Sequence, residues 1–128
     1  MRYLALDVGD RTIGLAVGDE AFGLARPLKT IRRRGVAADL DSLRDIARKE
    51  DIGALVIGLP LNLKGESGHQ AQRVRTFAES ARALALPIEL VDERFTTAEA
   101  VRRGADDLDA GAAVVLLEDF FSERSRRR

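Results

Sequence analysis

Apolar and polar positions alternate in two distinct rhythms along the chain, and the change of rhythm divides it into elements. Tyr3-Leu4-Ala5-Leu6-Asp7-Val8 is apolar and strand-like and meets a turn at Gly9-Asp10. Residues 12–18, Thr-Ile-Gly-Leu-Ala-Val-Gly, follow so closely that the two runs read as a hairpin. A third extended piece is predicted from Phe22 to Ile31, with Pro27 marking a bend or a sheet edge. From Gly35-Val36 the period lengthens: Val36, Leu40, Leu43 and Ala47 recur at helical spacing, which predicts a helix to about Lys49. Ile52 to Leu59 is continuously apolar, the pattern of a strand covered on both faces. A loop by composition, Pro60 to Gly68, leads into a helix from about His69 to Leu84 with Ala71, Val74, Phe77 and Ala78 inward. Pro87 restarts an extended run, Ile88-Glu89-Leu90-Val91, ending at Asp92-Glu93-Arg94. Thr96-Thr97-Ala98-Glu99 is a capping box opening a short helix to about Arg103. Residues 109–122 form the last predicted helix, and the polar tail from Glu123 is expected to fray. A hairpin-linked meander followed by helix-linked strands describes an α/β fold: one mixed sheet with helices packed on it.

Composition narrows the picture. At 128 residues the chain is expected to be a single domain, 1–128. The sequence holds no cysteine, so disulfides, a thiolate nucleophile and cysteine-ligated zinc are excluded, which fits a reducing, cytoplasmic setting. Apolar runs fall far short of a membrane span, and no signal peptide is expected from the N-terminal residues. Charge is balanced, 21 basic against 21 acidic, but unevenly spread: Arg32-Arg33-Arg34 and Arg126-Arg127-Arg128 are basic, Asp106, Asp107 and Asp109 acidic. Arginine greatly outnumbers lysine, which suits bidentate phosphate contact, although codon usage would give the same bias. Basic clusters of this kind are more often solvated faces than binding tracks.

Three acids stand where a spectator role is costly. Asp7 lies inside the first strand between Leu6 and Val8, and an isolated charge there needs a partner, exposure or coordination. A turn-stabilising Asp is the competing explanation. Asp92 and Glu93 close the strand from Ile88; side chains alternate, so only one can share a cleft with Asp7, and periodicity leaves open which. Asp109 lies three and four residues before Ala112 and Ala113, extending the apolar stripe Ala112, Ala113, Leu116, Leu117, Phe120 and Phe121; taken alone, it is better explained as a cap of the helix. Brought together, three carboxylates repel and raise one another's pKa, a conflict a divalent cation removes. Hard oxygen donors suit Mg²⁺ or Mn²⁺, and two ions about 4 Å apart would serve an in-line displacement at phosphorus. The lone histidine, His69, opens a helix after a glycine-rich loop and leaves no serine a plausible triad. A nucleotide-cradling Gly-x-x-x-x-Gly-Lys motif does not occur in the sequence.

Five segments in order resemble the YqgF/RuvX family, whose members are described as Holliday-junction resolvases or pre-16S rRNA nucleases with an RNase H-like fold. They are Leu-Asp-Val-Gly-Asp-Arg-Thr-Ile-Gly-Leu-Ala-Val-Gly at 6–18, Ala25-Arg26-Pro27-Leu28, Gly58-Leu59-Pro60-Leu61-Asn62, Asp92-Glu93-Arg94-Phe95-Thr96-Thr97 and Asp109-Ala110-Gly111-Ala112-Ala113. The resemblance spans nearly the whole chain. It implies an RNase H-like five-stranded sheet, a three-strand antiparallel meander plus two parallel strands, flanked by helices. It implies Asp7, Glu93 and Asp109 as catalytic and metal-binding acids, with Arg11, Asn62 and Arg94 lining the substrate site. The segment Ala98–Leu108 is shorter and less basic than the family's, Lys64 stands where an acid is common, and Thr12 occupies a frequent arginine position, so the basic role there falls to Arg11.

The expected activity is metal-dependent endonucleolytic cleavage of structured nucleic acid, either a four-way DNA junction or a pre-16S rRNA 5′ end. A junction, being two-fold symmetric, would call for a homodimer. Two other classes compete. A nucleic-acid-binding ribosome-assembly factor without catalysis would share the fold. An actin-like nucleotide binder would share the Asp7-Val8-Gly9 hairpin, but that class clasps ATP between two such domains and this chain holds one.

Overall fold

The computed structural model describes residues 1–60, 68–92 and 108–127, and of Leu108 and Asp109 only the backbone. Three strands open the chain: β1 (Arg2–Val8), β2 (Thr12–Asp19) and β3 (Leu24–Arg32). After α1 (Val36–Lys49) come β4 (Ala54–Leu59), α2 (His69–Ala81) with a 3₁₀ turn at Arg82–Leu84, β5 (Ile88–Asp92) and α3 (Leu108–Arg126). The sheet order is β3-β2-β1-β4-β5: β1, β2 and β3 form the antiparallel meander, and β4 and β5 run parallel to β1. This is the arrangement that the family resemblance implies, a three-strand antiparallel meander plus two parallel strands.

The sheet buries both faces under different helices. Leu4, Leu6, Val8, Ile13, Leu15, Val17, Leu55, Ile57 and Leu59 pack with Leu40, Leu43 and Ile46 of α1 and Ala71, Val74, Phe77 and Ala78 of α2. The alternate residues Tyr3, Ala5, Ala16, Ala54 and Val56 pack under Ala113, Leu116, Leu117, Phe120 and Phe121 of α3. Small residues on that face let the long α3 lie close to the sheet. At Gly18 the approach is tight: an added Cβ would stand 2.5 Å from the Leu24 carbonyl oxygen and 3.1 Å from the Phe121 ring.

Several details depart from expectation. β3 begins at Leu24 because Asp19 to Gly23 form a tight turn, with Gly23 at φ +68 and Phe22 78% exposed. Pro27 does sit on an edge strand, beside a register shift between Leu15 and Ala16. Val36, assigned to the buried stripe of α1, is 42% exposed, and Asp39 takes its place inside. The C-terminal tail, expected to fray, is helical to Arg126. Arg124 donates from Nε to Glu20 and lies 5.3 Å over the Phe120 ring, while Arg126 and Arg127 pair with Glu123. The short helix expected over 96–103 lies outside the described residues.

Candidate active site

Asp7 is the penultimate residue of the central strand, and only 5% of it is exposed. Pairing across the meander puts Asp7, Gly14 and Thr30 in one row. Side chains alternate along a strand, so Asp7 falls on the same face as Tyr3 and Ala5, the face covered by α3. Gly14, which carries no side chain, is itself buried beside Asp7.

The last helix runs antiparallel to β1. Its C-terminal half sits at the beginning of that strand: Tyr3 stacks 5.3 Å from Phe120 and 5.6 Å from Phe121. One turn earlier, Glu118 accepts from the Ala25 amide at 3.1 Å. Beyond the rings, Arg124 donates to Glu20, which follows β2 where that strand ends beside Arg2. A helix climbs about 1.5 Å per residue against about 3.3 Å in a strand, so its first turn arrives level with the carboxyl end of β1. The backbone of Asp109 is in that first turn.

At the far strand, Ile88 packs on the α1–α2 side and Val91 on the α3 side. Alternation therefore assigns Asp92 to the α1–α2 side, opposite Asp7. The parallel register Leu6–Ile57–Leu90 brings the carboxyl ends of β1, β4 and β5 to one edge of the sheet. Glu93, Arg94 and Asn62 lie outside the described residues, as does the side chain of Asp109.

The turn that follows Asp7 is braced from below by residues that the sequence pattern did not single out. Asp39, 1% exposed, accepts from Arg33 Nε at 3.2 Å and from the Arg34 amide at 2.9 Å. Arg33 also donates to the Gly9 carbonyl at 3.0 Å, and its guanidinium lies 5.1 Å over the Phe77 ring of α2. Within the turn the Gly9 amide donates to the Thr12 carbonyl at 2.9 Å. Outside it, Arg73 of α2 donates to Asp10 at 2.6 Å. Arg11 is exposed, and its side chain has no ion-pair partner among the described residues. The signal for Asp39 was available: it stands four residues before Leu43, on the stripe α1 buries.

Two clefts, of about 530 and 680 Å³, flank β5, one against α2 and one against the C-terminal half of α3; Asp7 lines neither. Among the described residues no three His, Cys, Asp or Glu side chains come together in a way that could hold a metal ion, and two of the three acids singled out above are not described as side chains. No helix among the described residues is long and apolar enough to cross a membrane.

The model of the RuvX family, described as "Holliday junction resolvase", matches residues 1–123. The chain belongs to the RuvX family. Its curated relatives include proteins named "Putative pre-16S rRNA nuclease". One from Anaeromyxobacter sp. (strain Fw109-5) is 42% identical, with 97% of this RuvX chain and 98% of the relative covered. Another, from Moorella thermoacetica, is 43% identical over 100% of this chain and 84% of the relative. Among solved structures, T. thermophilus RuvC in complex with Holliday junction substrate superposes with a TM-score of 0.64 over 98% of the RuvX chain and 96% of RuvC, at 14% identity. That likeness establishes a shared fold. The RuvX chain is thus a member of a nuclease family whose relatives carry nuclease names.

Proposed function

We propose that this chain is a divalent-metal-dependent endonuclease that cuts the backbone of structured nucleic acid, with Asp7, Glu93 and Asp109 as its acids. The observation that carries the reading is Asp7 itself: a carboxylate on the α3 face, almost wholly buried at the carboxyl end of the central strand. Strand ends at such an edge are where sheets with helical crossovers build their sites. The antiparallel course of α3 supports Asp109 as a second acid, since its backbone belongs to the turn that reaches this edge. The facing of Asp92 toward the α1–α2 side supports Glu93 over Asp92, by elimination.

The donor set fits hard cations. It consists of carboxylate oxygens, with neither thiolate nor imidazole among the three acids, which suits Mg²⁺ or Mn²⁺. When bound, such ions supply an activated water and charge stabilisation at the phosphate. The chain's own contribution is to hold Asp7 on the central strand, and to offer Arg11, Arg94 and Asn62 to the flanking backbone.

The relatives' names make a pre-16S rRNA precursor the first substrate to test, because identity of about 42% is a closer tie than a fold shared at 14%. The test is cleavage of a pre-16S 5′ fragment and a four-way DNA junction side by side, with and without Mn²⁺. Wild type is expected to cut one of them only when metal is present. Asp7→Asn is expected to lower the rate at least 1000-fold, on the order of the loss when a main electrostatic group is removed, while binding is kept or tightened. Metal-independent cutting, or full activity in Asp7→Asn, would refute the reading.

A further inference from the structure

We propose that Arg32 is a substrate-contacting residue that binds a backbone phosphate a few nucleotides from Asp7; this rests on the nuclease reading above and extends it to a position on β3. The register fixes where Arg32 stands. Asp7 pairs with Gly14, and Gly14 with Thr30, so these three share a row on the α3 face. Thr12 pairs with Arg32 two residues further toward the sheet edge, and alternation returns Arg32 to that same face.

Its neighbour supplies an independent check on that direction. Arg33 is drawn to the opposite side, over Phe77 of α2, where it holds Asp39 and the Gly9 carbonyl. Successive residues of an extended segment point to opposite faces, so anchoring Arg33 below commits Arg32 above. The triplet Arg32-Arg33-Arg34 is therefore three residues with three surroundings. Arg33 is a half-buried strut, Arg34 reaches Ser42 of α1 at 3.4 Å, and Arg32 is exposed. Among the described residues Arg32 has no carboxylate partner, whereas Arg26, Arg33, Arg44 and Arg73 each have one.

Spacing suits a nucleic-acid strand. Two strand separations and two residues of rise put the Cα of Arg32 roughly 12 Å from that of Asp7. A strand rising about 3.4 Å per nucleotide covers that distance in a few steps. A guanidinium at this place binds a phosphate through paired N–H donors, and displaces a counterion as it does so.

The test is equilibrium binding of a pre-16S 5′ fragment and a four-way junction in EDTA, between 50 and 300 mM KCl, so that cleavage plays no part. Arg32→Gln, Arg32→Lys and Arg48→Gln are compared with wild type; Arg48 is exposed on α1, away from the α3 face. Loss of one phosphate contact lowers the slope of log K against log salt by about 0.7 to 0.9. Arg32→Gln is expected to show that loss and to bind about tenfold more weakly at 50 mM, with an unchanged melting temperature. Arg32→Lys is expected to keep the slope, and Arg48→Gln to match wild type. An unchanged slope in Arg32→Gln, or an equal loss in Arg48→Gln, overturns the assignment while leaving the nuclease reading intact. Failure of wild type to bind either substrate removes both.

Discussion

Arg33 and Asp39 form an ion pair whose acid is withdrawn from water: Asp39 is 1% exposed. Desolvating two charges offsets most of their attraction, so a pair of this kind adds little net stability, yet losing one partner strands the other. What the pair does supply is connection. Through Arg33 it links the carbonyl of Gly9, two residues after Asp7, to the first turns of α1 and to a ring of α2. Arg33→Met is therefore expected to destabilise the fold by about 3 kcal/mol, whereas Arg33→Met/Asp39→Leu together should recover most of that loss. Urea denaturation midpoints with a shared slope would measure both. Equal losses in the single and double variants would show that the two residues do not act as a unit.

At the scale of elements, α3 shows what a pattern of side chains can and cannot foretell. Its stripe of Ala112, Ala113, Leu116, Leu117, Phe120 and Phe121 is buried as the spacing predicts, because hydrophobic burial depends on period alone. The apolar run of β4 is likewise covered on both faces. Its last turn was not legible, since Arg124 is held by Glu20, more than a hundred residues earlier, and local polarity says nothing about so distant a partner. Arg33 was hidden for the same reason: a basic triplet looks uniform until the fold separates its members. Of the candidate site, the position of Asp7 was readable from an acid inside an apolar strand, while the face that Asp92 takes needed the packing of Val91 and Ile88. Helix α3 also carries Asp119, whose pKa is raised first by burial and then by its neighbour Glu118, against a smaller opposing pull from Arg126. A carboxyl raised in the folded state favours folding while protonated, and that advantage fades as pH climbs from the ordinary value of 3.8 through the raised one. Asp119→Asn should accordingly melt higher than wild type at pH 7, and the difference should shrink to nothing in acid, below about pH 3. A gain that persists at low pH would assign the effect to packing instead of charge.

For the molecule as a whole, the proposed acid triad carries a consequence for stability: carboxylates gathered at one sheet edge would oppose folding until a cation joined them. If Asp7, Glu93 and Asp109 share that edge, metal-free protein carries their mutual repulsion in its folded state, and a divalent ion that binds only this state stabilises it by mass action. At 100 times its dissociation constant the ion adds about 2.7 kcal/mol, which for a chain of this size is a rise of roughly 10 °C in melting temperature. Removing one acid acts twice, and in opposite directions. Asp7→Asn should melt at or above wild type in EDTA, because one repelling charge is gone, and should respond only weakly to Mn²⁺, because one ligand is gone. Glu93→Gln should behave alike. A purely structural Asp7 gives the reverse pattern: a lower melting temperature in EDTA and an undiminished shift with Mn²⁺. The two melting curves of a single variant, with chelator and with metal, therefore separate a metal-holding acid from a fold-holding one without any substrate, and so without deciding beforehand whether RNA or DNA is cut.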